Sequence, residues 1–407
     1  MNPSVLSYYD AARTVREYAA SLHPTRTESL PLLAALHRSL ASSVVADRDQ
    51  PPFARSTRDG FAARSADLTA RAPLTIIGRL RAGEAWPGPP LASGQAIEIM
   101  TGAPVPPGAD CVLMVEHASV DASRIIPARP LSPGENIVPA GAEARAGATL
   151  IPPGTRIGPQ HIAIAAACGY STITVNTQPR VVILATGDEL VPIDQQPSPF
   201  QIRNSNSYAL AAQITCHGGV AVIHPSIRDS LEASESAIRA TLDCDLLILS
   251  GGVSMGKYDF VEQALADLGA EFFFTGARIQ PGRPVVFGQL PTPSGKNLPF
   301  FGLPGNPIST LVTFTIFAAP ILAALAGETS LGPHFAQARL TQPIEAKGGF
   351  TRFLPAYLQS SADGATIQTI PWQGSGDQAA AAKTNCFVVI PDNTAYSSGE
   401  IVTILHL

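Results

Sequence analysis

The 407-residue sequence is short of charge and of aromatic side chains: 14% of its residues are charged and 6% are aromatic. Its net charge is −5, and no run of lysines or arginines stands out. Neither a basic face to track phosphates nor a set of stacking rings is on offer, so nucleic acid is not an expected partner. There are 8 histidines, scattered, with no His-x-His or His-Glu-x-x-His spacing, which argues against a histidine-based metal centre. The five cysteines are far apart and odd in number, without zinc or redox spacing; free thiols in a reducing compartment are expected. No apolar signal core opens the chain. Its longest apolar stretch, Leu311 to Gly327, is broken by Thr313, Thr315 and Pro320. A membrane span needs about 20 apolar residues, so this stretch is expected to be a core helix, with no membrane partner and a cytoplasmic location.

Apolar residues are not scarce, at 45% of the chain, and proline is abundant, at 37 residues. One core rarely organises a chain of this length, so three or four domains are expected. Residues 5–22 and 27–42 carry helical patterning, the second with Leu30, Leu33, Leu36 and Leu40 at steps of three and four. From residue 45 to 140, short strands separated by Gly/Pro turns predict a small β-rich domain. Residues 1–44 and 141–177 are expected to form a mixed linker domain into which it is inserted. Between 178 and 328, apolar runs alternate with helical stretches, the pattern of parallel strands covered on both faces. Residues 329–407 return to short strands, a C-terminal β domain.

In such α/β sheets ligands bind beyond the carboxyl ends of the strands. Four strand ends carry polar loops. Thr186-Gly-Asp-Glu189 supplies Asp188 and Glu189, and Arg228-Asp229 follows the next strand. Ser250-Gly-Gly-Val-Ser-Met-Gly256, with Asp259 after it, lies between a strand and a helix, where glycine amides and a helix start suit an anion. Pro304-Gly-Asn306 precedes the long helix; as a plain turn, Asn306 would cap and Pro307 would fill the first helical position. Several acids on one rim would repel each other unless a cation such as Mg²⁺ joined them. The Gln280-Pro-Gly-Arg283 loop brings a guanidinium suited to phosphate. Gly252-Val-Ser-Met-Gly256 fits the letters of a hydrolase elbow, but His217 and His224 precede Ser254 in the chain, which argues against a serine nucleophile.

Taken together, "PPFARSTRDGFAAR" (51–64), "IMTGAPVPPGADCVLMVE" (99–116), "GENI" (134–137), "ILATGDELV" (183–191), "IRNSNSYAL" (202–210), "LSGGVSMGKYDF" (249–260), "QPGRPVVFG" (280–288) and "LPGNPIS" (303–309) resemble the MoeA family of molybdopterin molybdenumtransferases, to which the gephyrin E domain is related. The resemblance runs over essentially the whole chain. It implies a MogA-like doubly wound α/β domain (178–328), an inserted β-rich domain, an elongated linker domain and a C-terminal β-barrel-like domain. It implies an enzyme that inserts molybdenum from molybdate into adenylylated molybdopterin with Mg²⁺-dependent release of AMP. It also implies a homodimer, fed by a MogA-like adenylyltransferase, with a cleft that draws on the partner subunit. Carried over, Asp59, Thr101, Glu189, Asp229 and Asp259 are catalytic positions. Asp188, Glu189, Asp229 and Asp259 are metal positions. Gly251, Gly252, Ser254, Gly256, Arg278, Arg283, Pro304, Gly305, Asn306, Arg352 and Ser375 are substrate-binding positions. The family's lysine-rich "KPGKP" loop reads Gln280 to Pro284 here, an aspartate of the "RDSN" pattern is Asn204, and the segment after Asn136 offers Glu143 as the one candidate carboxylate. The alternatives left by the shared third domain are an adenylyltransferase and a gephyrin-like, non-catalytic scaffold.

Overall fold

A computed structural model describes residues 5–24, 26–252 and 260–407. The chain forms two compact units: residues 1–41, 154–158 and 173–407 make one, and residues 42–153 and 159–172 the other.

The larger unit is organised by a six-stranded sheet. In chain order it comprises β1 (Arg180–Ala185), α1 (Ser205–Cys216), β2 (Val220–Ile223), α2 (Leu231–Ala240), β3 (Leu246–Ser250), α3 (Phe260–Asp267), β4 (Glu271–Phe274), β5 (Val286–Pro291) and β6 (Asn297–Leu303). The strand order is β2-β1-β3-β6-β5-β4. Strands β2, β1, β3 and β6 are parallel. Their side chains alternate between two apolar layers, Val181, Ile183, Leu246 and Ile248 on one face and Val182, Leu184, Leu247 and Leu249 on the other. Near-continuous apolar strands are what burial on both faces requires. The expectation of parallel strands fails at β5, which runs antiparallel to both its neighbours, β6 and β4. The reason is local: β5 and β6 are joined by a tight turn closed by the Thr292 N–H on the Lys296 carbonyl, too short for a parallel crossover.

Strands Phe335–Leu340, Thr351–Ser361, Gly364–Thr369, Cys386–Ile390 and Ile401–His406 close on themselves as a five-stranded barrel, because Thr351–Ser361 pairs with both Gly364–Thr369 and Cys386–Ile390. Two short strands extend it, Gly276–Gln280 alongside Thr351–Arg352 and Val5–Ser7 alongside Gly276–Arg278. The 276–280 segment therefore leaves the α/β sheet that its position in the chain suggests.

Residues 27–42 are not a helix. Thr27–Pro31 is a strand and Leu32–Ala35 a single 3₁₀ turn, and of the four leucines only Leu40 is buried while Leu33 is 79% exposed. Pro31 lacks the N–H that a helix continuing through it would need. Helical pattern without a compatible backbone did not decide the outcome. Pro307–Leu325 is long and apolar enough to cross a membrane, but 89% of it is buried within the protein's own core. All five cysteines are free: Cys111, Cys168 and Cys386 are buried, Cys244 half-buried and Cys216 exposed.

The smaller unit holds a six-stranded, mostly antiparallel sheet, of which Gly60–Ala63, Gln95–Ile99 and Cys111–Met114 are neighbours. Residues 45–140, expected as an inserted β-rich domain, lie within it.

Candidate functional site

The carboxyl ends of β1, β2, β3 and β6 converge. After β1, Thr186 donates its N–H to the Ser250 carbonyl at 3.1 Å, and Gly187 donates to the Ile227 carbonyl at 3.2 Å. The chain then turns so that Asp188 meets Asp229, from the loop after β2. The Asp188 N–H reaches Asp229 Oδ2 at 3.4 Å, and the Asp229 N–H reaches Asp188 Oδ1 at 3.3 Å. The Glu189 carboxylate folds back over Gly187, whose added Cβ would stand 2.7 Å from Glu189 Oε2. Burial pushes the Asp229 carboxyl above the ordinary carboxylate range. The bond from the Asp188 N–H works against this, and the charges of Asp188 and Glu189 add to it. Three of the four predicted acids thus share one rim, and Asp259 lies outside the described residues, as do Ser254 and Gly256.

The donors on this rim are all carboxylate oxygens, the type Mg²⁺ takes together with water and phosphate oxygens. Among the described residues no group of three His, Cys, Asp or Glu forms a complete metal-holding set by itself. The pair Asp188–Asp229, with Glu189 at electrostatic range, fits a hard divalent cation that keeps several waters.

Behind the acids lies a floor made without side chains. Gly251 and Gly252 have φ of +87° and +64°. A Cβ on Gly251 would stand 2.7 Å from the Thr186 carbonyl oxygen, and one on Gly252 would stand 2.7 Å from Thr186 Oγ1. Both the left-handed backbone and the close approach demand glycine. Thr186 is 6% exposed, and its Oγ1 has no hydrogen-bond partner among the described residues. The Gly251 N–H donates to the Leu303 carbonyl at 3.1 Å, and Gly305 packs over Gly251.

The Asn306 side chain does not cap its helix. Its Nδ2 donates instead to Ser375 Oγ at 2.9 Å, while the Ile308 N–H takes the Ser375 carbonyl at 3.0 Å. The barrel-side loop that carries Ser375 is thereby fixed to the loop after β6. Gln378 adds a bond to Ser205 Oγ at 2.7 Å, at the start of α1. One residue of this cluster was not singled out by sequence. Asn206 Nδ2 donates to the Gly305 carbonyl at 2.7 Å and approaches Ser250 Oγ at 3.4 Å, tying the ends of β3 and β6 to α1. Its signal was its place in "RNSNSYAL", two residues after the capping Asn204. Asn204, where the resemblance implies an aspartate, caps α1 through the Ser207 N–H at 3.2 Å and donates to Ser226 Oγ. Asparagine caps as well as aspartate, so the replacement removes a charge and keeps the helix start.

The predicted basic residues have other neighbours. Arg278 is on the strand beside Val5–Ser7, and its charge acts on Asp10. The Arg283 guanidinium lies 6.0 Å from the Phe350 ring centre. Arg352 is 8% exposed; it donates to the Glu345 carbonyl, its Nε lacks a partner among the described residues, and burial lowers its pKa.

In the smaller unit Asp59 and Thr101 do meet. Asp59 Oδ1 accepts from the Thr101 N–H at 2.6 Å and from Thr101 Oγ1 at 2.9 Å. These two bonds hold the Asp59 carboxyl below its ordinary range. Gly60 follows because Leu113 O would lie 2.0 Å from any Cβ there. Glu143 is engaged by Arg55 at 2.7 Å.

Comparison with known proteins matches three family models along the chain: the MoeA N-terminal region (domain I and II) over residues 6–169, a probable molybdopterin binding domain over 182–324, and the MoeA C-terminal region (domain IV) over 337–407. A molybdopterin molybdenumtransferase of Nostoc sp. is 35% identical over 94% of this chain and 89% of its own length. One from Haemophilus influenzae is 33% identical over 94% of each. Among solved structures, a molybdopterin biosynthesis moeA protein from Pyrococcus horikoshii superposes with a TM-score of 0.80 at 26% identity, covering 99% of this chain and 100% of that one.

Proposed function

The chain belongs to the MoeA family of molybdopterin molybdenumtransferases, and from that premise we propose that its strand-end rim inserts molybdenum from molybdate into adenylylated molybdopterin, releasing AMP. The observation that carries this reading is the meeting of Asp188 and Asp229, with Glu189 beside them, next to the glycine turn of Gly251 and Gly252.

In the proposed reaction an oxygen of molybdate or water attacks the adenylyl phosphorus, the phosphoanhydride bond breaks with molybdopterin keeping its own phosphate, and AMP departs with the attacking oxygen, while the two dithiolene sulfurs replace oxygens of molybdate, which leave as water with the dithiolene protons or in AMP. Asp188 and Asp229 would hold Mg²⁺, with Glu189 adjacent and Asp259 as the fourth expected acid. When bound, the ion supplies positive charge against the phosphate oxygens. The chain's own part is orientation. Gly251, Gly252 and Gly305 leave room for the diphosphate, with Ser254, Gly256 and Pro304 as further expected contacts. Asn306 and Ser375 fix one side of the loop cluster to the barrel. Arg278, Arg283 and Arg352 are proposed as contacts further along the substrate, and Asp59 and Thr101 as a second catalytic pair in the smaller unit. A homodimer, supply by a MogA-like adenylyltransferase, a cytoplasmic setting and a four-domain division at the boundaries given above belong to the same proposal.

The test is direct: purified chain, adenylylated molybdopterin, molybdate and Mg²⁺ are mixed, and AMP and active cofactor are measured. Stoichiometric AMP with cofactor that activates a molybdenum apoenzyme is expected. AMP release that does not depend on molybdate, or ATP-dependent adenylylation of molybdopterin by the chain alone, would overturn the reading.

A further inference from the structure

Helix α1 starts at the loop cluster and ends somewhere quite different. Its last turn leads to His217, which lines a cavity of about 60 Å³ together with Arg156, Glu328, Ser330, His334 and His406. Twelve residues at 1.5 Å each place this cavity about 18 Å along the helix from Ser205. The long Pro307–Leu325 helix makes the same journey: Ile308 binds the Ser375 carbonyl near its start, and Pro320 and Ala323 line the cavity near its end. None of the cavity residues belongs to the rim or to the glycine floor.

The lining is unusual for this chain. Only 8 of 407 residues are histidine, yet three of them face this one small space beside an arginine. The Arg156 guanidinium donates to the Cys216 carbonyl at 2.6 Å and faces Glu328 at 3.5 Å, a separation longer than a tight ion-pair hydrogen bond. A guanidinium carries five N–H donors, more than these two contacts use. His217 Nδ1 sits 2.8 Å from the Gln213 carbonyl, and its ring stands edge-on to Phe314. A carbonyl accepts, so Nδ1 carries the proton and Nε2 is the atom left for a ligand or for a second proton. Burial acts on His217 most, then the Gln213 carbonyl in the opposite direction, then Arg156 and His334; Glu328 is the one acidic side chain in the lining, which also includes Leu407. A single water needs about 10–15 Å³ of such space, so the cavity has room for a compact polyatomic ion.

We propose that this cavity is a binding site for a small tetrahedral oxyanion of the sulfate, phosphate or molybdate type, held by Arg156, His217, His334 and His406. An anion there would stabilise protonated imidazoles beside Arg156, so binding takes up protons and strengthens as the pH falls. Burial most of all, with Arg156 and His334 adding to it, holds the unliganded His217 below the ordinary histidine range, which leaves room for that uptake.

The experiment is calorimetric titration of the full chain with sodium sulfate, the probe least related to the reaction, at about pH 6 and about pH 8, the window in which histidine changes charge. One sulfate per chain is expected, bound about tenfold more weakly at the higher pH and at least tenfold more weakly by Arg156→Gln. Asp229→Asn, at the far end of α1, should bind it as the unaltered chain does. Phosphate and molybdate in separate titrations rank the natural candidates. His406→Gln is the second variant, since Arg156→Gln also loses a backbone bond and could unfold; a fewfold loss is expected there. Lack of saturation at millimolar sulfate and low pH, or equal affinity in folded His406→Gln and the unaltered chain, overturns the proposal. So does binding lost in Asp229→Asn, which would place the anion at the rim.

Discussion

Two aspartates in the two units stand in opposite electrostatic circumstances. Asp59 has its charge answered from within: one carboxylate oxygen takes both the backbone and the side-chain donors of Thr101, and its pKa is held down. Asp229 has long bonds and two acidic neighbours, and its pKa is pushed up. The first is a finished local structure whose ionised state the fold favours. The second is unfinished: burial and acidic neighbours oppose its ionised form, which a positive charge from outside the chain would favour. The difference separates a residue that presents a fixed negative charge from one that is built to share it.

The comparison is broken most severely by Asp229→Asn. Removing the proposed cation-holding charge should lower kcat on the order of 10²–10³-fold, the range for losing one group that stabilises transition-state charge. Because the same change relieves like-charge repulsion, thermal stability at neutral pH should not fall; a cooperative loss of melting temperature alongside the lost activity would show that Asp229 is structural. Asp59→Asn keeps an oxygen acceptor for Thr101 and should cost about tenfold in activity, within the smaller range of a positioned general acid–base or orienting group. A loss equal to that of Asp229→Asn would erase the distinction.

Titration sharpens it further. Followed by carboxyl ¹³C resonances, Asp229 should titrate above Asp59, and added Mg²⁺ should move Asp229 downward while leaving Asp59 in place. The linkage runs in opposite directions. The raised pKa of Asp229 means that its charged form costs stability, a cost absent below the unfolded carboxylate pKa and complete above the folded one. The lowered pKa of Asp59 contributes stability that is present above the unfolded pKa and lost as pH falls through the folded one. The smallest expected effect is that of Thr101→Val, which removes one of the two donors to Asp59 and should move its midpoint part of the way back up with the fold intact.

Much of the rim was legible because it obeys a rule of position: polar loops after apolar parallel strands collect on one edge. Asp188, Glu189 and Asp229 needed no more than that. Asn206 was hidden because its role depends on where β3 and β6 end relative to α1, which periodicity does not specify. Asn306 was misjudged in its plain-turn role for a related reason: a cap is a local bond, and Ser375, 69 residues away, won the side chain. The 27–42 segment carried a sound helical pattern, yet Pro31 and pairing with Thr172–Asn176 decided for a strand. Closure of the C-terminal barrel was expected only by resemblance, since it rests on one strand pairing twice.

The buried Pro307–Leu325 helix has a consequence for how the protein comes into being. Its cover is assembled from distant parts of the chain: Phe314 and Phe317 share a core with Tyr8 and Val15 near the beginning, Val181 and Phe274 in the middle, and Phe353, Phe387 and Leu405 near the end. During synthesis this segment leaves the ribosome before the strands that carry Phe353, Phe387 and Leu405 have emerged to cover it. For that interval a greasy rod of membrane-spanning length stands partly uncovered in water, the kind of exposed surface that draws aggregation or chaperones. A nascent chain arrested just before Cys386 should therefore be captured by such helpers, and one completed to Leu407 should be released.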